Sequence, residues 1–176
     1  MSKLRVSVNC GHCVKGPGYG AKYGSYKESQ ITRAVGNELI KLLKAKGHEV
    51  HNSTVNYALT QNRYLKRVVE MANDKNVDLF ISLHCNASGD HNGRGVEVHT
   101  YKGRKMTAAT NICQALAKKG FKNRGIKDGS GLYVIKHTNA PAMLVEMFFL
   151  DNVVDQNLYS IHGYRSIAKA IANAIG

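Results

Sequence analysis

The chain has 176 residues, with 25 lysines and arginines against 12 acids, so it carries a net charge of +13 with histidines neutral. That length suits one domain around one buried core, and 43% hydrophobic residues with only two prolines exclude a disordered or collagen-like chain. No apolar run approaches the ~20 residues of a membrane-spanning helix, while the charge predicts attraction to a polyanion such as nucleic acid, anionic lipid or a wall polymer.

Leu4, Val6, Val8 and Cys10 alternate with Arg5, Ser7 and Asn9, the period of a strand with one apolar face. Arg5 interrupts the apolar start and no small-residue cleavage site follows, so no signal peptide is expected. Residues 11–24 form an irregular loop in which Gly16, Gly18 and Gly20 surround Pro17; loops of this length are more often functional than accidental. Ser25 and Glu28 have the spacing of a capping box, and Ile31, Val35, Leu39, Leu42 and Leu43 continue it as a helix until Gly47. Residues 48–54 read as a short edge strand, and Leu65, Val68, Val69 and Ala72 mark a second helix over residues 60–76.

Residues 77–83 are nearly continuous apolar sequence, as in a central parallel strand covered on both faces, and lead into His84, Cys85 and Asn86. Val96 and Val98 predict another strand, and residues 106–119 a third helix with Ile112, Ala115 and Leu116 inward. Residues 132–135 and 142–150 predict two more strands, and residues 161–175 a closing helix through Ile167, Ala168, Ile171 and Ile175. The alternation predicts an α/β fold, and no linker separates differently composed halves, so residues 1–176 read as a single domain.

Ligands of open parallel sheets bind beyond the carboxyl ends of the strands, where His12, His84 and Glu146 stand. Two imidazoles converging there suit zinc, which takes nitrogen and carboxylate ligands and in catalytic sites keeps one position open. Glu28 is the third ligand, or else it satisfies an orphan amide as the last residue of the capping box. Taken singly, each histidine reads as a hydrogen-bonded strand-end residue; together they favour a metal. Glu146 stands among Val145, Met147 and Phe148, and an ionised carboxylate in apolar surroundings is costly unless it is paired, near a metal or protonated. Such a group suits a general base that takes a proton from water attacking a carbonyl and returns it to a leaving amine. The other reading turns it to a solvated face.

Taken in order, Gly11-His12, Glu28, Ser82-Leu83-His84-Cys85-Asn86-Ala87-Ser88, Gly95-Val96-Glu97-Val98 and Leu144-Val145-Glu146-Met147-Phe148-Phe149-Leu150-Asp151-Asn152 cover almost the whole chain. This pattern resembles the zinc-dependent N-acetylmuramoyl-L-alanine amidases. The resemblance implies that His12, Glu28 and His84 hold Zn²⁺ and that Glu146 is catalytic. It further implies a twisted, mostly parallel mixed sheet flanked by helices on both faces. Peptidoglycan is the implied substrate, cut between N-acetylmuramic acid and the first L-alanine of the stem peptide, with bacterial lysis as the outcome. The chain departs from the family's common Asp-Pro-Gly-His-Gly sequence with Asn9-Cys10-Gly11-His12-Cys13, and the family pattern assigns no role to Glu97. Without a signal peptide, the chain looks like the catalytic domain of a phage endolysin or an autolysin, made in a host cytoplasm and acting on the wall after release.

Four rival readings stand beside this one. A zinc carboxypeptidase or another zinc amide hydrolase would use the same chemistry with a different pocket. Cys10 and Cys13 match the spacing of a thiol-disulfide oxidoreductase, but Lys15, Gly16, Pro17, Gly18 and Gly20 delay the helix such a motif needs. Cys85 and Cys113 form no close pair for a zinc finger and read as reduced thiols. Basic stretches around Lys102 and Lys118 could meet phosphates, yet no base-readout motif accompanies them, so nucleic acid is not expected and the charge is assigned to anionic wall polymers.

Overall fold

A computed structural model describes residues 3–176. In chain order it holds β1 (Arg5–Cys10), a small hairpin of β2 (Lys22–Tyr23) and β3 (Tyr26–Lys27), α1 (Glu28–Ala45), β4 (Glu49–Asn52), α2 (Gln61–Asn73) and β5 (Leu79–Asn86). There follow β6 (Val96–Thr100), α3 (Thr107–Ala117), β7 (Asn123–Asp128), α4 (Tyr133–His137), β8 (Ala142–Phe149) and α5 (Val153–Ile175). Six strands make one sheet in the order β4-β1-β5-β8-β6-β7. The first four are mutually parallel, β6 runs antiparallel to β8, and β7 is parallel to β6. The expected mostly parallel mixed sheet is present.

Strand side chains alternate between faces, and here both faces are covered. Val8, Ile81, Leu83 and Val145 join the core beneath α1, α3 and α5, whereas Phe80, Ala142 and Leu144 join a smaller core beneath α2 and α4. This explains the unbroken apolar runs of β5 and β8, and at full burial each large aliphatic side chain contributes roughly 1.5–3 kcal/mol. Among the described residues no helix is long and apolar enough to cross a membrane.

Four local expectations fail. Residues 132–135 are not a strand but the start of α4, where Val134 and Ile135 are buried against Tyr64 and Val68; four apolar residues are too few to display a period. The strand β7 escaped notice because Ile126 is its only large apolar residue and it pairs with β6 alone at the sheet edge. Helix α5 starts at Val153 rather than residue 161, capped by the Asn152 side chain accepting from the amides of Val154 and Asp155. Exposed Val153, Val154 and Ile161 blur its apolar face, and Gly163 at φ 69° kinks it. The capping box is absent: α1 starts after Lys27 with no side-chain cap, because Tyr26 pairs with Tyr23 in the hairpin and Glu28 is used elsewhere.

Candidate metal centre

The parallel strands β1, β5 and β8 deliver their carboxyl ends to one edge of the sheet, and the chain turns there into the glycine-rich loop. His12 follows β1, His84 lies near the end of β5, and Glu28 opens α1. Their ligand-bearing atoms, two ring nitrogens and the two oxygens of Glu28, lie close together. His12 Nε2 lies 3.1 Å from Glu28 Oε2, His84 Nδ1 lies 3.1 Å from Glu28 Oε1, and the two nitrogens are 3.2 Å apart. Tetrahedral ligands at 2.0–2.1 Å from zinc stand about 3.3 Å from one another, so donor types and spacing both fit a tetrahedral cation with one position left over.

Each vertex is held from behind. His12 Nδ1 donates to the carbonyl of Gly18 at 3.0 Å, leaving the Nε2 lone pair for the cluster. His84 Nε2 donates to Ser82 Oγ at 3.1 Å, Ser82 donates to Asn9 Oδ1 at 2.7 Å, and Asn9 donates to the Ser53 carbonyl at 3.2 Å. That relay selects the His84 tautomer whose Nδ1 faces the cluster, a hydrogen placement inferred from the network. Asn9, in the altered stretch before His12, therefore acts on the other histidine. Glu28 is anchored through both oxygens: Oε1 accepts from the Cys85 amide and Oε2 from the Ala21 amide, each at 2.9 Å.

The backbone of His12 is left-handed at φ 67°, a conformation costly for a side chain other than glycine. It is held by its amide donating to Tyr64 Oη at 2.7 Å and its carbonyl accepting from Arg33 Nη2 at 2.8 Å. Two glycines make room for the cluster. A Cβ at Gly11 would collide with the His84 ring and lie 2.6 Å from the Leu83 carbonyl oxygen, and one at Gly20 would lie 2.6 Å from Glu28 Oε2. Sequence reading missed Ser82, Asn9, Tyr64 and Arg33; the one readable signal was Ser82, which shares a strand face with His84 by the two-residue period.

Electrostatics follow this geometry. Burial opposes ionisation of Glu28, but hydrogen bonds from His12 and His84 outweigh it and hold the carboxyl well below the usual carboxylate range. Burial also works against charge on His12, where Glu28 wins and the pKa rises, whereas at His84 burial prevails and the pKa falls.

Glu146 pairs in register with His84 on β5 and with Glu97 on β6. Part of the residue reaches solvent, yet Oε2 is sealed from it and has no hydrogen-bond partner among the described residues. Burial, with the charges of Glu28 and Glu97, pushes its carboxyl well above the ordinary value. Glu146 thus keeps partial exposure while one carboxyl oxygen is withdrawn from solvent. Glu97, by contrast, is fully partnered, accepting from Arg124 Nε at 2.6 Å and from Asn86 Nδ2 at 3.0 Å, with His99 at 3.4 Å.

The thiols do not form a redox pair. All four cysteines are free and buried, and burial pushes Cys10 and Cys13 up, opposite to the shift an attacking thiolate needs. The helix that motif requires begins only at Glu28.

The family described as N-acetylmuramoyl-L-alanine amidase matches residues 6–176. Over 177 aligned residues the chain is 34% identical to an uncharacterised protein of Clostridium perfringens, covering 98% of this chain and 51% of that protein. It is 30% identical to N-acetylmuramoyl-L-alanine amidase CwlM of Bacillus licheniformis, over 98% of this chain and 67% of that one. The chain thus spans about half the length of several curated relatives it matches, the C. perfringens protein among them. Among solved structures, the catalytic domain of the CD27L endolysin targeting Clostridia Difficile superposes with a TM-score of 0.88 at 30% identity, covering 98% of this chain and 96% of that one. With that match running from β1 to the last residue, the chain belongs to the N-acetylmuramoyl-L-alanine amidase family.

Proposed function

We propose that this chain is a zinc-dependent peptidoglycan hydrolase that cleaves the amide between N-acetylmuramic acid and L-alanine, and that this cleavage lyses bacterial walls. One observation carries the reading: His12, Glu28 and His84 each bring a ligand atom within 4.8 Å of the other two, beside a strand whose Glu146 has a sealed, partnerless carboxyl oxygen. His12, Glu28 and His84 would hold the ion. Bound there, zinc supplies Lewis-acid polarisation of a carbonyl and acidifies water.

The chain's own residues do the rest. Glu146 accepts a proton from the attacking water and passes it to the leaving amine nitrogen, a role its raised proton affinity suits. Gly18, Ser82 and Asn9 keep each imidazole presenting a lone pair inward, and the amides of Ala21 and Cys85 keep the Glu28 carboxylate from rotating away. The family membership supports peptidoglycan as the substrate class. Anionic wall polymers are proposed as further partners by charge, and synthesis in a host cytoplasm with action on the wall after release as the setting.

Product chemistry tests the reading. Digesting purified peptidoglycan and labelling new amino termini should give N-terminal L-alanine on released peptides, with the glycan strands intact. Release of only a carboxyl-terminal amino acid would make the enzyme a carboxypeptidase. At the metal, His84→Ala should lose zinc in elemental analysis, and full zinc retention would remove His84 from the ligand set.

A further inference from the structure

Beyond Glu146, the same face of the sheet carries charged groups that the proposed reaction does not use. Glu146 on β8 lies between His84 on β5 and Glu97 on β6, each its partner in register, so the three side chains share one face. Glu97 is buried, and its carboxylate is taken up by protein groups: Arg124 Nε at 2.6 Å, Asn86 Nδ2 at 3.0 Å and His99 Nε2 at 3.4 Å.

Arg124 reaches Glu97 from the edge strand β7, and its guanidinium carbon lies 5.0 Å from the centre of the Phe149 ring. The group is thereby held on two sides, by a charged hydrogen bond at Nε and by an aromatic face. Most of its donors are still free. A guanidinium has five N–H donors, four of them on Nη1 and Nη2. Neither Nη meets an acceptor among the described residues, and neither is sealed from solvent. The side chain is 32% exposed, and Glu97 is the one acid in ion-pair range of it among the described residues. A planar fork fixed at its root with its outer edge free matches a carboxylate, which accepts two parallel N–H···O bonds.

The place of Arg124 relative to the chemistry indicates what carries that carboxylate. Glu146 hands its proton to the leaving amine and stands between the metal-ligand residues and Glu97. The amine side of the cut, which is the peptide, therefore leaves towards β6 and β7. Neighbouring strands stand about 4.8 Å apart, which puts the backbone of Glu97 about 10 Å from that of His84. An extended peptide covers that distance in about three residues.

We propose that Arg124 binds a free carboxylate of the stem peptide, two or three residues beyond the amide that is cut, and so selects acidic stems over amidated ones. This assignment rests on the amidase reaction proposed above. Soluble muramoyl peptides of two and of three otherwise neutral residues, each ending in a carboxylate or a carboxamide, test it with the metal-loaded enzyme. The readout is release of L-alanine amino termini. At one length or both, the wild type should cleave the carboxylate form with kcat/KM at least about ten-fold above the carboxamide, mainly through a lower KM. Arg124→Gln should bring that ratio below about two-fold by raising KM for the carboxylate form, with the carboxamide form changed less than about two-fold and zinc content unchanged.

A ratio near one in the wild type at both lengths would overturn the proposal while the amidase reaction stood. An equal fall on both forms in Arg124→Gln would make Arg124 a structural partner of Glu97 and would also overturn it. Arg124→Lys keeps the charge beside Glu97 and loses the fork, so its ratio should fall between those of the wild type and the glutamine variant. Should Arg124→Gln lose its cooperative melting transition, the lysine variant carries the comparison, and an undiminished ratio there would overturn the forked contact. Cleavage of neither form by the wild type would instead sink the amidase reaction, and the assignment with it.

Discussion

The two ends of the sheet carry polar groups of opposite character. At the edge with His12, Glu28 and His84, every donor atom has a second partner behind it and two glycines clear the space in front. At the far edge, Arg104, Lys105 and Lys136 are exposed around a hollow, and none of them is held in an ion pair among the described residues. Cleaving an amide demands geometry fixed before substrate arrives, because reorganisation during the reaction adds to the barrier. Retaining a flexible polyanion demands only charge and donors within reach. The comparison teaches that the preparation of the groups around a hollow, rather than its size, marks where chemistry occurs.

The largest expected effect probes the prepared edge. Glu146→Gln keeps the side-chain volume but removes the proton acceptor, so amide cleavage should fall by about 10²–10⁴-fold. Zinc content should stay at the wild-type level in elemental analysis, since Glu146 is outside the ligand set. Wild-type cleavage by this variant would refute the assigned role, and parallel loss of zinc would make Glu146 a ligand.

Next in size is a difference between neighbouring carboxylates on the same edge. Glu97 is lowered from its ordinary 4.5 to about 2, first by the hydrogen bond from His99 and then by Arg124, against opposing burial. Because the folded value is the lower one, the stabilisation is complete above about pH 4.5 and is lost as pH falls towards 2. At ~1.36 kcal/mol per unit, it amounts to roughly 3 kcal/mol at most. Tm measured from pH 6 down to pH 2 should fall more steeply in the wild type than in Glu97→Gln. Parallel curves would show that the ion pair adds nothing to stability.

Ser82→Ala tests the relay behind His84. Loss of the acceptor at Nε2 frees the ring to adopt the wrong tautomer, and such changes typically cost 10–100-fold in metal affinity. Competition with a chelator should therefore strip zinc from this variant at lower chelator concentration, while cleavage at saturating zinc changes little. Unaltered zinc affinity would leave the Asn9-Ser82-His84 relay without a role in holding metal.

How much of this could be read in the sequence follows from what periodicity encodes. Buried strands and amphipathic helices advertise themselves, so β1, β5, β8, α1, α2 and α3 were legible. Elements specified by their neighbours were not: β7 holds one large apolar residue, and the residues of α4 are too few to distinguish a helical turn from a strand. At the edge with His12 the four candidate side chains were legible for different reasons: His12 and His84 as polar residues at strand ends, Glu146 as an acid inside an apolar run, and Glu28 only through a spacing that also fitted a capping box. The alternatives for Glu28 could be resolved only by Ala21 and Cys85, amides 7 and 57 positions away that take the place of a capping interaction. The supporting shell of Asn9, Ser53, Tyr64 and Arg33 had no signal beyond ordinary polar residues. Such contacts depend on where separate segments meet.

The smallest effect concerns the net charge of +13, to which Arg104, Lys105 and Lys136 at the far edge contribute. Exposed charges interact over about 10 Å at 0.1 M salt and about 3 Å at 1 M, so attraction to a wall polyanion must weaken as salt rises. Proton transfer within the prepared edge involves partners already in contact and is screened far less. Lysis of intact polymer-bearing cells should slow several-fold between low and high salt, whereas cleavage of a soluble muropeptide should change by less than about two-fold. In the variant with Arg104, Lys105 and Lys136 replaced by glutamine, the salt dependence of lysis should be shallower than in the wild type. An equal slowing of both substrates would place the salt effect in catalysis rather than retention. Salt-indifferent lysis would mean that the net charge does not keep the chain on its wall.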